Sequence, residues 1–196
     1  MNQSIPRLED IQNAHKRISG QVNKTHVMTS ASLNEMSGAQ LYFKCENFQK
    51  TGSFKFRGAS NAILQLSKKE RVHGVGTHSS GNHAAALSLA ANLLRTDAYI
   101  VMPRNSIPVK KKAVEHYRAH ITYCEPTLDS REETFKEIEK LTGAKFIHPS
   151  SDFDVICGQG TAALELLREV PDLDAIITPV GGGGLTSGTA IAARET

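Results

Sequence analysis

The pattern that most constrains this chain is a repeated switch between short β-rich runs and longer amphipathic ones. Strand-like QLYFKCE (40–46), VHGVGTH (72–78), AYIVM (98–102), ITYCE (121–125), KFIH (145–148) and DAIITPV (174–180) alternate with helix-like segments. Those segments are FKFRGASNAILQLS (54–67), NHAAALSLAANLL (82–94), a run opening at Pro108, SREETFKEIEKLTG (130–143), GQGTAALELLREV (158–170) and a last helix from near GLTSG (184–188). Two strands pair in parallel only when a crossover of a dozen or more residues joins them, and a helix is the usual crossover. The alternation therefore predicts an α/β chain of parallel, twisted sheets with helices on both faces. Residues 71–148 read as a self-contained βαβαβαβ block, while 1–70 and 149–196 read as two parts of another layer.

With 39% hydrophobic and 22% charged residues over 196 positions, the chain has the make-up of a globular protein, and disorder is not expected. Its net charge of +3 comes from scattered residues, and the densest basic run, Lys110–Lys112, reads as a solvated helix face rather than a nucleic-acid stripe. Cys45, Cys124 and Cys157 are odd in number and far apart, which argues against a disulfide framework or a zinc site and for a reducing, cytoplasmic setting. The N-terminus has no signal-peptide core, and no apolar run reaches the length of a bilayer span, so neither export nor membrane insertion is expected.

Three stretches lie where strands hand over to helices, the usual ligand edge of an α/β sheet. In TPVGGGGLTSG (178–188), Gly181, Gly182, Gly183 and Gly184 let backbone amides converge on an anion at a helix start. The alternative is a flexible turn, which does not require four glycines and their entropic cost. No Gly-Lys-Ser/Thr follows, so this is not a P-loop, and GVGTHS (74–79) fails the dinucleotide pattern at its third glycine. THSSGNHAAAL (77–87) offers small residues with exposed amides that suit a carboxylate, with Asn82 as a side-chain donor. Ser80 and Asn82 could equally be simple helix caps, and His83 by itself reads as structural.

The third stretch, ENFQKTGSFKFRGASNA (46–62), puts Lys55 in the first helical turn with Ser53 as N-cap. There the helix dipole and burial both favour the neutral, nucleophilic amine. Arg57 and Lys50 read as solvated or paired with nearby acids. An amine, a carboxylate-sized loop and a phosphate cradle together call for a ligand with an aldehyde and a phosphate alongside an amino acid, and pyridoxal phosphate is such a ligand.

RISGQVNKTHVMTSASLNEMSG (17–38), ENFQKTGSFKFRGA, SSGNHAAA, GQGTAALELL and PVGGGGL make the chain resemble the fold type II pyridoxal-phosphate enzymes, in the serine racemase and serine/threonine dehydratase branch. The resemblance implies a two-domain architecture: 1–70 and 149–196 as the large cofactor-binding domain and 71–148 as the small α/β domain. It implies that Lys55 is the Schiff-base lysine and moves the α-proton on one face, with Ser80 handling it on the other. Phe54 would lie beside the cofactor ring, Asn82 would bond its phenolic oxygen, and Ser150 would sit near it. Gly181, Gly182, Gly183, Gly184 and the Leu185 amide would hold the phosphate, while Ser79, Ser80, Gly81, Asn82 and His83 would hold the substrate carboxylate. The implied activity is dehydration of serine or threonine to a 2-keto acid and ammonia, serine racemisation, or both. The alternatives are β-replacement of the cysteine synthase type and a truncated, non-catalytic chain. A homodimer is implied as well.

The chain departs from the family pattern at Ala85, where a glutamine is usual, at His26 after Thr25, and at Arg118. The glutamine change argues against the nucleotide regulation of some members. Complete relatives also run longer, so the resemblance implies a truncated large domain whose missing part carries more sheet, the group facing the pyridine nitrogen and the ligands of a divalent cation. No metal ligand is assigned here.

Overall fold

The computed structural model describes residues 5–195; Met1–Ser4 and Thr196, which belong to the expected large-domain segments, lie outside the described residues. The first helix, α1 (Leu8–Ile18), opens at Arg7, whose amide donates to Asp10 Oδ2 at 2.9 Å, and buries Ile11, Ala14 and Ile18 along one face. A short ribbon follows: β1 (Val27–Met28) pairs antiparallel with β2 (Phe43–Lys44) around α2 (Ala31–Ser37), which Ser30 caps and Gly38 ends at φ +68°. Two 3₁₀ turns, Glu46–Phe48 and Lys50–Gly52, lead to α3 (Lys55–Gln65), and a capping box from Ser67 and Glu70 starts α4 (Lys68–Val72).

The crossover block follows as β3 (Val75–His78), α5 (Asn82–Leu93), β4 (Ala98–Pro103), α6 (Pro108–His116), β5 (His120–Cys124), α7 (Leu128–Thr142) and β6 (Lys145–Phe146). The sheet order is β5-β4-β3-β6, and all three pairings are parallel, with Val75 opposite both Ala98 and Lys145. From β3 the chain steps outward to β4 and β5, then returns to the other side of β3. The carboxyl ends of β3 and β6 therefore flank a switch point, where the connecting loops part and leave a crevice. Gly76 in β3 is required by packing, because a Cβ there would collide with the Phe135 ring of α7.

Helices α8 (Phe153–Glu169) and α9 (Gly184–Glu195) complete the fold. Helix α8 approaches α3 backbone to backbone: a Cβ on Gly158 would stand 2.6 Å from Gly58 Cα. The main core joins Phe56 and Ile63 of α3, Val75, Ile100 and Met102 of the sheet, Leu87 of α5, Ile147 and Val155. Ile11, Ala163, Leu164 and Ala192 form a second cluster between α1, α8 and α9, and Val101, Cys124 and Phe135 a third beneath α7.

The observed fold corrects the expected one in several places. The strand expected at 174–180 runs with no ladder partner among the described residues, and Ile177 and Val180 are 95% and 73% exposed. A strand exists only where a neighbour completes its hydrogen bonds, whatever its composition. The strand expected at 40–46 shrinks to Phe43–Lys44 in an antiparallel ribbon, beside the four-stranded parallel sheet of the described residues. Helices α1, α2 and α4 were not expected. Helix α8 begins at Phe153 rather than 158 because Asp152 Oδ1 accepts from Val155 N at 3.0 Å and caps it there. Among the described residues no helix is long and apolar enough to cross a membrane.

Candidate active site

The switch point gathers the loops after β3 and β6 against the start of α3. Lys55 is the first residue of α3, and its Nζ donates to the Pro149 carbonyl at 2.6 Å while lying 5.3 Å from the centre of the Phe54 ring. Burial holds its pKa below the ordinary lysine value, which favours the neutral amine. The expected cap differs: Phe54 already has helical φ/ψ and immediately precedes α3, and the buried Ser53 hydroxyl finds no partner among the described residues.

Two imidazoles, His83 and His148, lie within electrostatic reach of this amine, and a third, His78, stands 6.4 Å from His148 between ring centres. His83, in the first turn of α5, is 2% exposed, with Nε2 3.4 Å from the Ile147 carbonyl. A carbonyl only accepts, so Nε2 carries the proton and Nδ1 is a buried acceptor without a partner among the described residues. Burial first, and then the charge of Lys55, pushes His83 down to about 3, which leaves it neutral. His148 Nδ1 accepts from the amides of Ser150 and Ser151 at 3.1 and 3.0 Å, and His78 stacks on Phe146 at 5.0 Å. Burial lowers both of these as well.

The glycine run reaches the same place through Ser150. A Cβ on Gly182 would collide with Ser150 Oγ, and one on Gly184 would stand 2.6 Å from the Ser150 carbonyl oxygen. Gly183 has φ +83°, a left-handed conformation that favours glycine, and α9 begins at the next residue. The amides of Gly181–Leu185 thus lie at a helix N-terminus, a setting that suits an anion. Lys55 touches Pro149, and the next residue touches the glycine run, so amine and anion cradle stand on either side of one dipeptide. These features fit pyridoxal phosphate: a desolvated amine for its aldehyde, glycine amides for its phosphate, and an aromatic ring beside the amine.

The remaining expected residues are placed less tightly. Ser79 Oγ accepts from Gly81 N at 3.4 Å, while the side chains of Ser80 and Asn82 make no hydrogen bond among the described residues. Phe54 and Leu185 line a separate groove of about 670 Å³ with Tyr42, Phe43, Leu166 and Ile177, which includes neither Lys55 nor Ser80.

Sequence reasoning left Arg57 undecided between solvent and an acid partner. It is fully buried, with its fork on both carboxylate oxygens of Glu46 (2.8 and 2.8 Å) and of Glu165 (2.8 and 2.9 Å). Lys44 adds a contact to Glu165 at 2.7 Å, and His15 lies 3.6 Å from it. Burial alone would lower Arg57 and raise Glu165, but the opposite charges win and move each the other way. The available signal was Glu165 itself, the one charged residue among the buried residues of α8.

The chain is 52% identical over 188 residues to serine racemase of Dictyostelium discoideum, covering 96% of this chain and 58% of that protein. It is 51% identical over 187 residues to the β-hydroxyaspartate dehydratase of Paracoccus denitrificans, covering 95% and 59%. The structure of maize serine racemase superposes with a TM-score of 0.96 at 48% identity over 97% of this chain and 58% of that one. The chain therefore spans well under two thirds of the length of each. Residues 18–196 match the family model of pyridoxal-phosphate dependent enzymes, and the chain belongs to that family.

Proposed function

We propose that this chain carries the cofactor site of an enzyme that dehydrates serine or threonine to a 2-keto acid and ammonia and racemises serine. The observation that carries the reading is the Lys55–Pro149 contact beside the Ser150–glycine contact, which brings a desolvated amine next to an anion cradle. Bound there, pyridoxal phosphate supplies an electron sink for the charge left when an amino acid loses its α-proton.

The protein's own groups then have distinct tasks. Lys55, held toward its neutral form, attaches the aldehyde and moves the α-proton on its face; the Ser80 hydroxyl moves it on the opposite face. Return of the proton from Ser80 yields the other enantiomer, whereas departure of the β-hydroxyl commits the substrate to elimination. Amides of Gly181, Gly182, Gly183, Gly184 and Leu185 hold the phosphate, Ser150 lies against that cradle, Phe54 flanks the ring and Asn82 donates to its phenolic oxygen. The loop Ser79, Ser80, Gly81, Asn82 and His83 receives the substrate carboxylate. The names of the relatives, a racemase and a dehydratase of a hydroxy amino acid, support both outcomes.

Residues 71–148 act as the small domain and 1–70 with 149–196 as the large one. Three free cysteines suit a reducing cytoplasm. The exposed apolar residues along 173–180 suit a subunit that is covered in a homodimer.

The test is borohydride reduction of the chain after incubation with pyridoxal phosphate, followed by peptide mapping, with Lys55→Ala in parallel. A label confined to Lys55, with keto acid formed from serine or threonine, is the expected result. No label in a folded chain overturns the proposal.

A further inference from the structure

Helices α4, α5 and α6 all end at the amino edge of the parallel sheet, opposite the crevice, because each hands the chain to the strand that follows it. Strand β4 spans six residues, so the two edges stand about 17 Å apart. At the amino edge a cavity of about 440 Å³ opens between the three helix ends, and its lining includes Arg71, Asn92, Arg95, Tyr117 and Arg118.

Two of these arginines hold an unfavourable backbone. Arg95 has φ +54° and Arg118 φ +62°, and each stands two positions after the last residue of its helix, Leu93 of α5 and His116 of α6. Glycine is the usual occupant of that left-handed position, and Arg118 is also where the chain departs from the family pattern. A basic side chain near a helix C-terminus complements the dipole, but one in the last helical turn would do so without strain. Strain of this kind persists where the surrounding structure holds it, and it gathers at ligand sites.

The charges of the cavity are unbalanced. Among the described residues no carboxylate pairs with any of the three guanidinia, and Asp97, the one acid in the lining, faces His120 at 3.5 Å. Three guanidinia against one carboxylate leave two formal positive charges in excess, which the three helix ends, about half a charge each, do not cancel. The arrangement is also fixed in place. The Thr96 hydroxyl donates to the Arg71 carbonyl, and the Val75 amide donates to the Asp97 carbonyl at 2.9 Å, which ties the turn carrying Arg95 to the end of α4.

Guanidinium forks grip phosphate oxygens through paired hydrogen bonds, and the volume is in the range of small-ligand sites, larger than a lone phosphate needs. We propose that this cavity binds a small molecule carrying a phosphate group, held by Arg71, Arg95 and Arg118. The site lies across the sheet from the crevice and does not rest on the function proposed above.

The experiment loads the chain with pyridoxal phosphate, so that the glycine cradle is filled, and dialyses away the excess. Inorganic phosphate, pyrophosphate and glycerol 3-phosphate are then titrated calorimetrically at constant ionic strength into the parent, Arg95→Gly/Arg118→Gly, Arg71→Gln and the exposed control Lys112→Ala. The expected Kd for the tightest probe rises about ten-fold or more in the double variant and about five-fold or more in Arg71→Gln, and moves less than about two-fold in Lys112→Ala. Glycine at both left-handed positions should also keep or raise the anion-free thermal midpoint, which separates lost binding from lost folding. Tighter binding of glycerol 3-phosphate than of the inorganic anions assigns the site to a phosphate ester, and the reverse order to a free phosphate or diphosphate. Equal affinity in the parent and the double variant, or no saturable heat from any probe in the parent, overturns the proposal; should the double variant not fold, Arg71→Gln decides in the same way. A chain that retains no cofactor counts against the enzyme reading alone, and the same comparison of parent and variants in the unloaded chain still decides this one.

Discussion

Replacing Arg57 by methionine removes the guanidinium on which two acids converge while keeping most of the side chain's apolar length. Its five N–H groups reach Glu46, Glu165, the Thr161 hydroxyl at 3.2 Å and the Asn23 carbonyl at 3.4 Å. Without it, Glu165, whose side chain is 4% exposed, keeps Lys44 at 2.7 Å, and Glu46 keeps the Thr25 hydroxyl at 2.6 Å. Breaking a buried pair by removing one partner costs about 3–5 kcal/mol. The surviving Lys44 contact puts the expected loss near the lower end, about 3 kcal/mol, out of a total stability on the order of 5–15 kcal/mol. The loss should depend on pH. In the parent, Arg57 helps hold the Glu165 carboxyl below the usual range. In the variant that carboxyl moves upward, so acid neutralises it and the deficit is smaller at pH 5 than at pH 8. Urea unfolding followed by circular dichroism at both pH values measures this, with Glu165→Gln as a companion. A deficit under about 1 kcal/mol, or one that does not change with pH, would refute the view that Arg57 is the charge partner of these acids.

Two further changes probe the crevice. His83 is held near 3 by burial, whereas in the unfolded chain it titrates near its ordinary value of about 6.5. The unfolded state therefore binds the extra proton between those values, and His83's contribution, complete above pH 6.5, is lost as pH falls toward 3 at up to about 1.4 kcal/mol per pH unit. Urea midpoints for His83→Gln should fall less steeply over that window than the parent's; parallel curves would show that His83 is not buried neutral. Gly182→Ala would drive a methyl into Ser150 Oγ, so cofactor affinity should fall about ten-fold or more while the thermal midpoint moves by only a few degrees, read by equilibrium dialysis beside calorimetry.

Legibility followed how local the determining physics was. The helices of the crossover block could be read because Pro108 opens one of them and apolar spacing marks their buried faces, although α7 starts two residues earlier than expected, where Thr127 caps it. The place of Lys55 in the first turn of α3 could be read because its neighbours form a compact motif in one stretch of chain. Arg57 could not be resolved, since its partners lie 11 and 108 residues away. Arg118 could be read only as a departure from the family pattern, because Arg71 and Arg95, which line the same cavity, belong to other parts of the chain. The segment 174–180 shows the opposite case: its composition is β-rich, but a strand is a property of a pair, and no partner lies beside it among the described residues.

By itself, then, the sequence determined the alternation of elements, the α/β class, and the glycines and caps that start and end its helices, because these depend on residues a few positions apart. Tertiary structure decided which loops meet at the crevice between β3 and β6, which charges are buried and paired, and which arginines line one cavity. Those outcomes depend on strand order and burial, which bring distant residues to within hydrogen-bonding range and remove the water that would otherwise screen them.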